Sequence, residues 1–165
     1  MFNKIILGFL AFLLWIFPNS KALNFSYDKT FYDKQTIADT VMTAVKSQDA
    51  EALTAMICKN IKDNTSDLSD QIATLFGYTN GATNYTVDGG GAEYSGNRGS
   101  NHIIKRDVDI KYQISEVKYS LFIVWEINNF SPAERGIRHV NLMNADTKEL
   151  LIDFKSTEGF LYWHD

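Results

Sequence analysis

Residues Ile104–Asn128 read IKRDVDIKYQISEVKYSLFIVWEIN, and the fold turns on this stretch. Val108, Ile110, Tyr112 and Ile114 alternate with Asp107, Asp109, Lys111 and Gln113. A period of two marks a strand with one dry face and one wet face. The spacing predicts a first arm from Ile104 to Val117. A second arm follows from Tyr119 to Asn128. Leu121, Phe122, Ile123, Val124 and Trp125 make it apolar on both faces, so it is expected at the centre of a sheet. An arm of this length extends roughly 40 Å, about twice a common strand. So long a strand must twist and curl, and its hollow needs a filler.

The segments before the pair supply that filler. Ile37, Val41, Ala44 and Val45 recur at helical spacing, which predicts a helix over 34–47. Asp49 reads as the N-cap of a second helix, Ala50 to Lys59, burying Leu53, Met56 and Ile57. Asn60 to Ser66 reads as a polar break. Asp67 caps a third helix with the stripe Leu68, Ile72, Leu75 and Phe76, and Gly77 is the expected stop. Ala82 to Val87 reads as a strand with Tyr85 and Val87 inward. Asp88–Gly89 and the glycines that follow predict a hairpin returning through Ala92–Ser95. After the long pair, Ile137 to Met143 is a strand with Val140 and Leu142 inward. Leu150 to Phe154 is a short strand or helical turn, and Tyr162 and Trp163 are expected to dock the tail. The expected fold class is α+β, with three N-terminal helices packed in a curled antiparallel sheet.

The first residues read as an export signal. Lys4 precedes an unbroken apolar run from Ile5 to Phe17, and Pro18 and Asn19 end it. Ser20 and Ala22 are the small residues expected before a cut after Ala22. As a helix the run rises only about 20 Å, short of a hydrocarbon core of roughly 30 Å. The expected division is a signal peptide, 1–22, and one domain, 23–165, with an uncleaved anchor as the alternative. Either outcome exports the remainder. The 165-residue chain carries a net charge of −4, and losing Lys4 and Lys21 makes it more acidic. That acidity argues against nucleic acid and anionic lipid as partners.

Cys58 is the only cysteine, so no internal disulfide is available. It reads as a small buried apolar side chain on a helix, with a thiol nucleophile or an intermolecular disulfide as the alternatives. His102, His139 and His164 share no metal-ligand spacing. Asp63, Asp67 and Asp70 lack the order of a calcium loop. Gly89–Gly91 precede strand and turn rather than a helix, which is wrong for a phosphate cradle. No metal and no cofactor are therefore expected. Asp107, Asp109 and Glu126 fall opposite the apolar positions by parity. His139 lies on a strand apolar on both sides, and its facing stays open. The sequons at Asn24, Asn64 and Asn84 matter only in a host that glycosylates exported chains.

Ala44, Asp49, Ala50, Glu51, Ala52 and Leu53, within Ala38–Leu53, resemble the paired opening helices of the nuclear-transport-factor-2-like superfamily. That superfamily also holds ketosteroid isomerase and the polyketide cyclases. Leu68, Gln71 and Ile72, the long pair ending at Trp125, and the loop into Gly136 and Ile137 are similar to a small bacterial family within it. Those relatives are exported, often lipid-anchored, and have no assigned function. The resemblance covers about Thr30 to Phe154. It implies a cone-like sheet around helices, brings no catalytic residues, and is compatible with a homodimer through the open sheet face. This chain lacks the cysteine of a lipid anchor.

The functional expectation is an exported, non-catalytic module binding a small molecule or a protein. Tyr112, Trp125 and His139 are the candidate ligand contacts, because aromatic rings bury much area at small entropic cost. The alternative is a small pocket enzyme of the lyase or isomerase type. It would use His139 or a desolvated acid as base.

Overall fold

The computed structural model describes residues 33–89, 92–95, 103–128 and 132–157. The expected signal segment, His102 and the tail with Tyr162, Trp163 and His164 lie outside the described residues. The expectation of mixed α+β structure holds, with helices first and an antiparallel sheet after them.

Helix α1 spans Lys34–Lys46, and Asp33 caps it by accepting a bond from the Gln35 N–H. Its predicted stripe of Ile37, Val41, Ala44 and Val45 is buried, joined by Ala38 and Met42. Helix α2 spans Ala50–Met56, and Asp49 accepts from the Ala52 N–H at 2.9 Å as expected. The second helix does not run on to Lys59. Ile57 and Cys58 turn extended, with ψ of 136° and 157°. Ile57 forms a parallel bridge to Ile137, and the Cys58 N–H donates to the Ile137 carbonyl at 3.0 Å. A separate helix α3, Lys59–Asn64, then occupies the expected polar break. Among the described residues there are thus four helices rather than three.

Helix α4, Leu68–Thr79, buries Leu68, Ile72, Leu75 and Phe76 as predicted. It runs through Gly77. Thr79 Oγ1 donates back to the Leu75 carbonyl at 2.8 Å, and the stop comes at Asn80 and Gly81, where φ is +93°. A glycine serves as a stop where the backbone turns left-handed, and the Gly81 φ places that turn four residues later.

Among the described residues six strands follow: β1 Tyr85–Asp88, β2 Ala92–Ser95, β3 Ile103–Ile114, β4 Val117–Asn128, β5 Gly136–Asn144 and β6 Leu150–Lys155. The path of the sheet is β1-β3-β4-β5-β6, all antiparallel, with β2 also on β3. The apolar strand β4 is central, as its sequence requires. The turn between the arms falls at Ser115–Glu116, earlier than expected, with Ser115 at φ +54° and Ile114 paired with Val117. Ser-Glu carries no glycine or asparagine to advertise it.

The hairpin expected around Gly89 does not form. β1 pairs with the Asp109–Tyr112 part of β3, and β2 with the Ile103–Arg106 part. Both run antiparallel to β3, so they point the same way. They are one interrupted edge rather than two arms. Gly89, at φ +77°, opens the interruption and lies against Asp109.

The core sits between the helices and one face of the sheet. Val108, Ile110, Leu121, Ile123, Trp125, Val140, Leu142, Ile152 and Phe154 meet the helix stripes there. Register shifts at Ile104/Lys105, Val124/Trp125 and Leu142/Met143 break the ladders. Such bulges bend a strand and raise its local twist.

Candidate functional site

At the turn end of the long pair, alternation brings three tyrosines together. Tyr112 on β3 lies opposite Tyr85 on β1 and Tyr119 on β4. The Tyr112 and Tyr119 rings stack with centroids 5.3 Å apart at 19°. Tyr78 from α4 tilts onto Tyr119 at 5.9 Å, and its carbonyl accepts from the Tyr112 hydroxyl at 3.3 Å. Tyr112 is only 4% exposed and anchors the cluster to the core. Burial, with a smaller contribution from Tyr119, raises the Tyr112 pKa.

Tyr85 is held from two sides. Its hydroxyl donates to Asp39 at 2.5 Å, and the Lys46 ammonium stands 5.2 Å from its ring centroid. Burial first, and then the Asp39 carboxylate, push its pKa up to about 12. Both phenols therefore keep their protons near neutral pH.

Tyr85, Tyr112 and Tyr119 line a pocket of about 310 Å³. Asn84, Gln113, Lys111 and Lys118 complete most of its wall. The volume sits at the small end of the usual range for ligand sites. Lys111 pairs with Asp88 at 2.7 Å and approaches Asp109 at 3.7 Å.

The other two sequence candidates lie elsewhere. Trp125 is 1% exposed and packs in the core. His139 pairs with Val124, whose neighbours Ile123 and Trp125 face the helices, so His139 falls on the opposite face of the sheet. There its Nε2 meets Asp153 at 2.6 Å, and Phe122 stands edge-on to its ring. The structure thus brings Tyr112 to a pocket and does not bring Trp125 or His139 to the same one.

Parity missed a second polar cluster. Glu126 follows the inward Trp125 and was expected in water, yet it is 1% exposed. Arg138 is the extra residue of β5 at the Val124/Trp125 register shift. Its Nε lies 3.3 Å from Glu126, and its Nη1 donates to Glu134 at 3.3 Å. Glu134 belongs to the 3-10 turn Pro132–Glu134 and also accepts from the Asn60 N–H at 3.2 Å. The Asn60 side-chain oxygen accepts from Ser156 Oγ at 2.8 Å and the Thr157 N–H at 2.9 Å. These groups tie α3, the turn, β4, β5 and the end of β6 together. Cys58 lies buried at the same junction, and burial pushes its thiol pKa up. A raised pKa disfavours the thiolate that nucleophilic chemistry needs.

Among the described residues, no group of three or more His, Cys, Asp or Glu side chains could hold a metal ion. No described helix is long and apolar enough to cross a membrane.

Residues 40–145 match a family defined as a domain of unknown function, DUF5104, and the chain belongs to that family. No curated protein and no solved structure matches it.

Proposed function

We propose that this DUF5104 chain is an exported, non-catalytic binding module that holds a small molecule in its tyrosine-lined pocket. One observation carries the reading: three tyrosine residues, held by ring stacking and by Asp39 and Lys46, line one open pocket of about 310 Å³. Rings held in place before binding lose little entropy when a ligand arrives. No aspartate, glutamate or histidine is among the lining residues, which are led by the three tyrosines. Those are recognition groups rather than a base. Tyr112 is the sequence candidate that takes part, whereas Trp125 supports the core and His139 the opposite face. Export is supported by Lys4, the run Ile5–Phe17 and the small residues Ser20 and Ala22. A cone of the nuclear-transport-factor-2-like kind is supported by helices on one sheet face and by the three bulges.

The test is native mass spectrometry of the chain purified from its own host. A retained small molecule is expected, and Tyr119→Ala should weaken its retention about tenfold, from the loss of one stacked ring. Retention unchanged in Tyr119→Ala and lost in His139→Ala would move the site to the other face and overturn the reading. Steady turnover of the retained molecule by the purified chain would replace it with an enzyme.

A further inference from the structure

The two edges of the sheet differ in how the chain covers them. One edge is β1 followed by β2, and it is interrupted after Asp88. Helix α1 also reaches over it. Lys46 Nζ donates to the Thr83 carbonyl at 2.9 Å, and Lys34 Nζ donates to the Gly89 carbonyl at 3.1 Å. The other edge is the continuous strand β6. The Ser156 N–H donates to the Arg138 carbonyl at 2.9 Å, which sets the phase of the β5–β6 ladder. Bonded and non-bonded pairs alternate along an antiparallel ladder. Phe154, paired with Val140, therefore turns its backbone groups to β5, and Asp153 and Lys155 turn theirs outward. No described residue bonds to those outward groups. A row of unpaired N–H and C=O groups is a template for another strand.

We infer that β6 pairs antiparallel with β6 of a second copy of this chain, about a two-fold axis at Phe154. In that register each Asp153 lies opposite Lys155 of the second copy, and the opposed residues exchange their outward backbone bonds. The side chains match as well. Residues directly opposite bring their β-carbons to roughly 5 Å. Residues two apart on one strand are separated by roughly 7 Å. Lys155 Nζ already comes within 3.5 Å of its own Asp153 over that longer gap, and both side chains are open to solvent. Charges on an edge commonly repel stray strands. An edge of one sign would also refuse its own copy. Asp and Lys two positions apart accept it in this register and reject it one residue away, where Asp153 would face Asp153. Because α1 covers the β1 edge, the pairing closes at two. The contact is small, so the dimer is transient.

The experiment is sedimentation velocity on the chain purified from its host. The average mass should rise from one chain toward two over roughly 1–300 µM, the range of a transient contact. Lys155→Pro removes an outward N–H and leaves the β5 ladder intact, as proline is tolerated at a sheet edge. It should weaken association about thirtyfold, because one backbone bond is lost on each side of the axis. Asp153→Lys and Lys155→Asp should each stay monomeric alone and pair when mixed. Phe122→Lys, on the open sheet face, should leave the dimer unchanged. Circular dichroism matching the parent chain shows that each variant is folded. A parent chain that stays monomeric throughout overturns the inference. So does a dimer that survives Lys155→Pro, or a pair of charge-swapped chains that stay apart when mixed. A dimer lost in Phe122→Lys and kept in Lys155→Pro moves the contact to the open face and overturns the edge pairing.

Discussion

Arg138 sits between two acids with 5% of its side chain exposed, and Glu126 beside it has 1%. A buried ion pair contributes little net stability while intact, but removing one partner strands the other in a poor solvent. Arg138→Met should therefore cost about 3–5 kcal/mol in urea unfolding. Glu126→Leu combined with Arg138→Met should recover most of that loss, because Glu134 is 17% exposed and reaches water. A double variant as unstable as the single would show that the guanidinium serves by packing rather than by charge. Tyr85 gives a prediction in pH. Its folded pKa is raised to about 12, by burial first and by Asp39 second. An unfolded phenol releases its proton near pH 10, so the folded state holds the proton more tightly. That stabilisation is whole below about pH 10 and is lost as pH rises through about 12. A phenolate absorbance titration should show a late step that Tyr85→Phe removes, and an unchanged upper limb would refute the placement. The two residues differ in how readable they were. Tyr85 faces inward because alternation says so. Alternation also assigned Glu126 a face, but it cannot say that the 3-10 turn and Arg138 will cover that face.

At the scale of elements, one contact decides how the helices meet the sheet. Gly136, at φ +108°, opens β5 directly beneath the end of α2. A β-carbon there would fall far inside van der Waals contact distance of the Met56 carbonyl oxygen, which is backbone and cannot step aside. The same region holds the Ile57–Ile137 bridge and the Cys58 N–H bond to Ile137. Gly136→Ala should thus cost about 3 kcal/mol or more, from strain and overpacking together. Gly81→Ala is the control. It has a similar positive φ, but its new β-carbon meets only Ile114 Cγ2 at 3.9 Å. It should cost about 1–2 kcal/mol, the left-handed penalty alone. Equal losses in denaturant titrations would show that the close approach at Met56 does not matter. This junction also explains which elements were legible. The stripes of α1 and α4 survive intact because each helix buries one face continuously. Ile57 and Cys58 continue the apolar pattern of α2, so nothing in their chemistry announces that they leave the helix to bridge a strand far along the chain. The edge formed by β1 and β2 misled in the opposite way. Asp88–Gly89 has the composition of a hairpin turn, yet β3 is long enough to pair with both segments in line.

For the whole molecule, the order of elements was readable because hydrophobic period changes from helical to alternating between α4 and β1. The pocket was half readable. Tyr112 was singled out, but Tyr85 and Tyr119 join it through strand register and an unmarked turn. The export reading belongs to this scale too, since it concerns what remains after processing. The first described helix is capped by Asp33, well beyond the expected cut after Ala22. Cleavage there would remove no described element of the domain. The run Ile5–Phe17 rises about 20 Å as a helix, too short to settle as a span across roughly 30 Å of hydrocarbon. Ser20 and Ala22 give a peptidase the small side chains it requires. The chain recovered from its host should therefore begin at Leu23, by intact mass and by N-terminal sequencing. Ala22→Leu should block the cut and leave the protein in the membrane fraction with Met1 intact. A native chain that begins at Met1 and stays in that fraction would make the segment an anchor. A full-length chain in the cytosol would overturn export, and the host's intracellular small molecules would then be the ones to test in the tyrosine pocket.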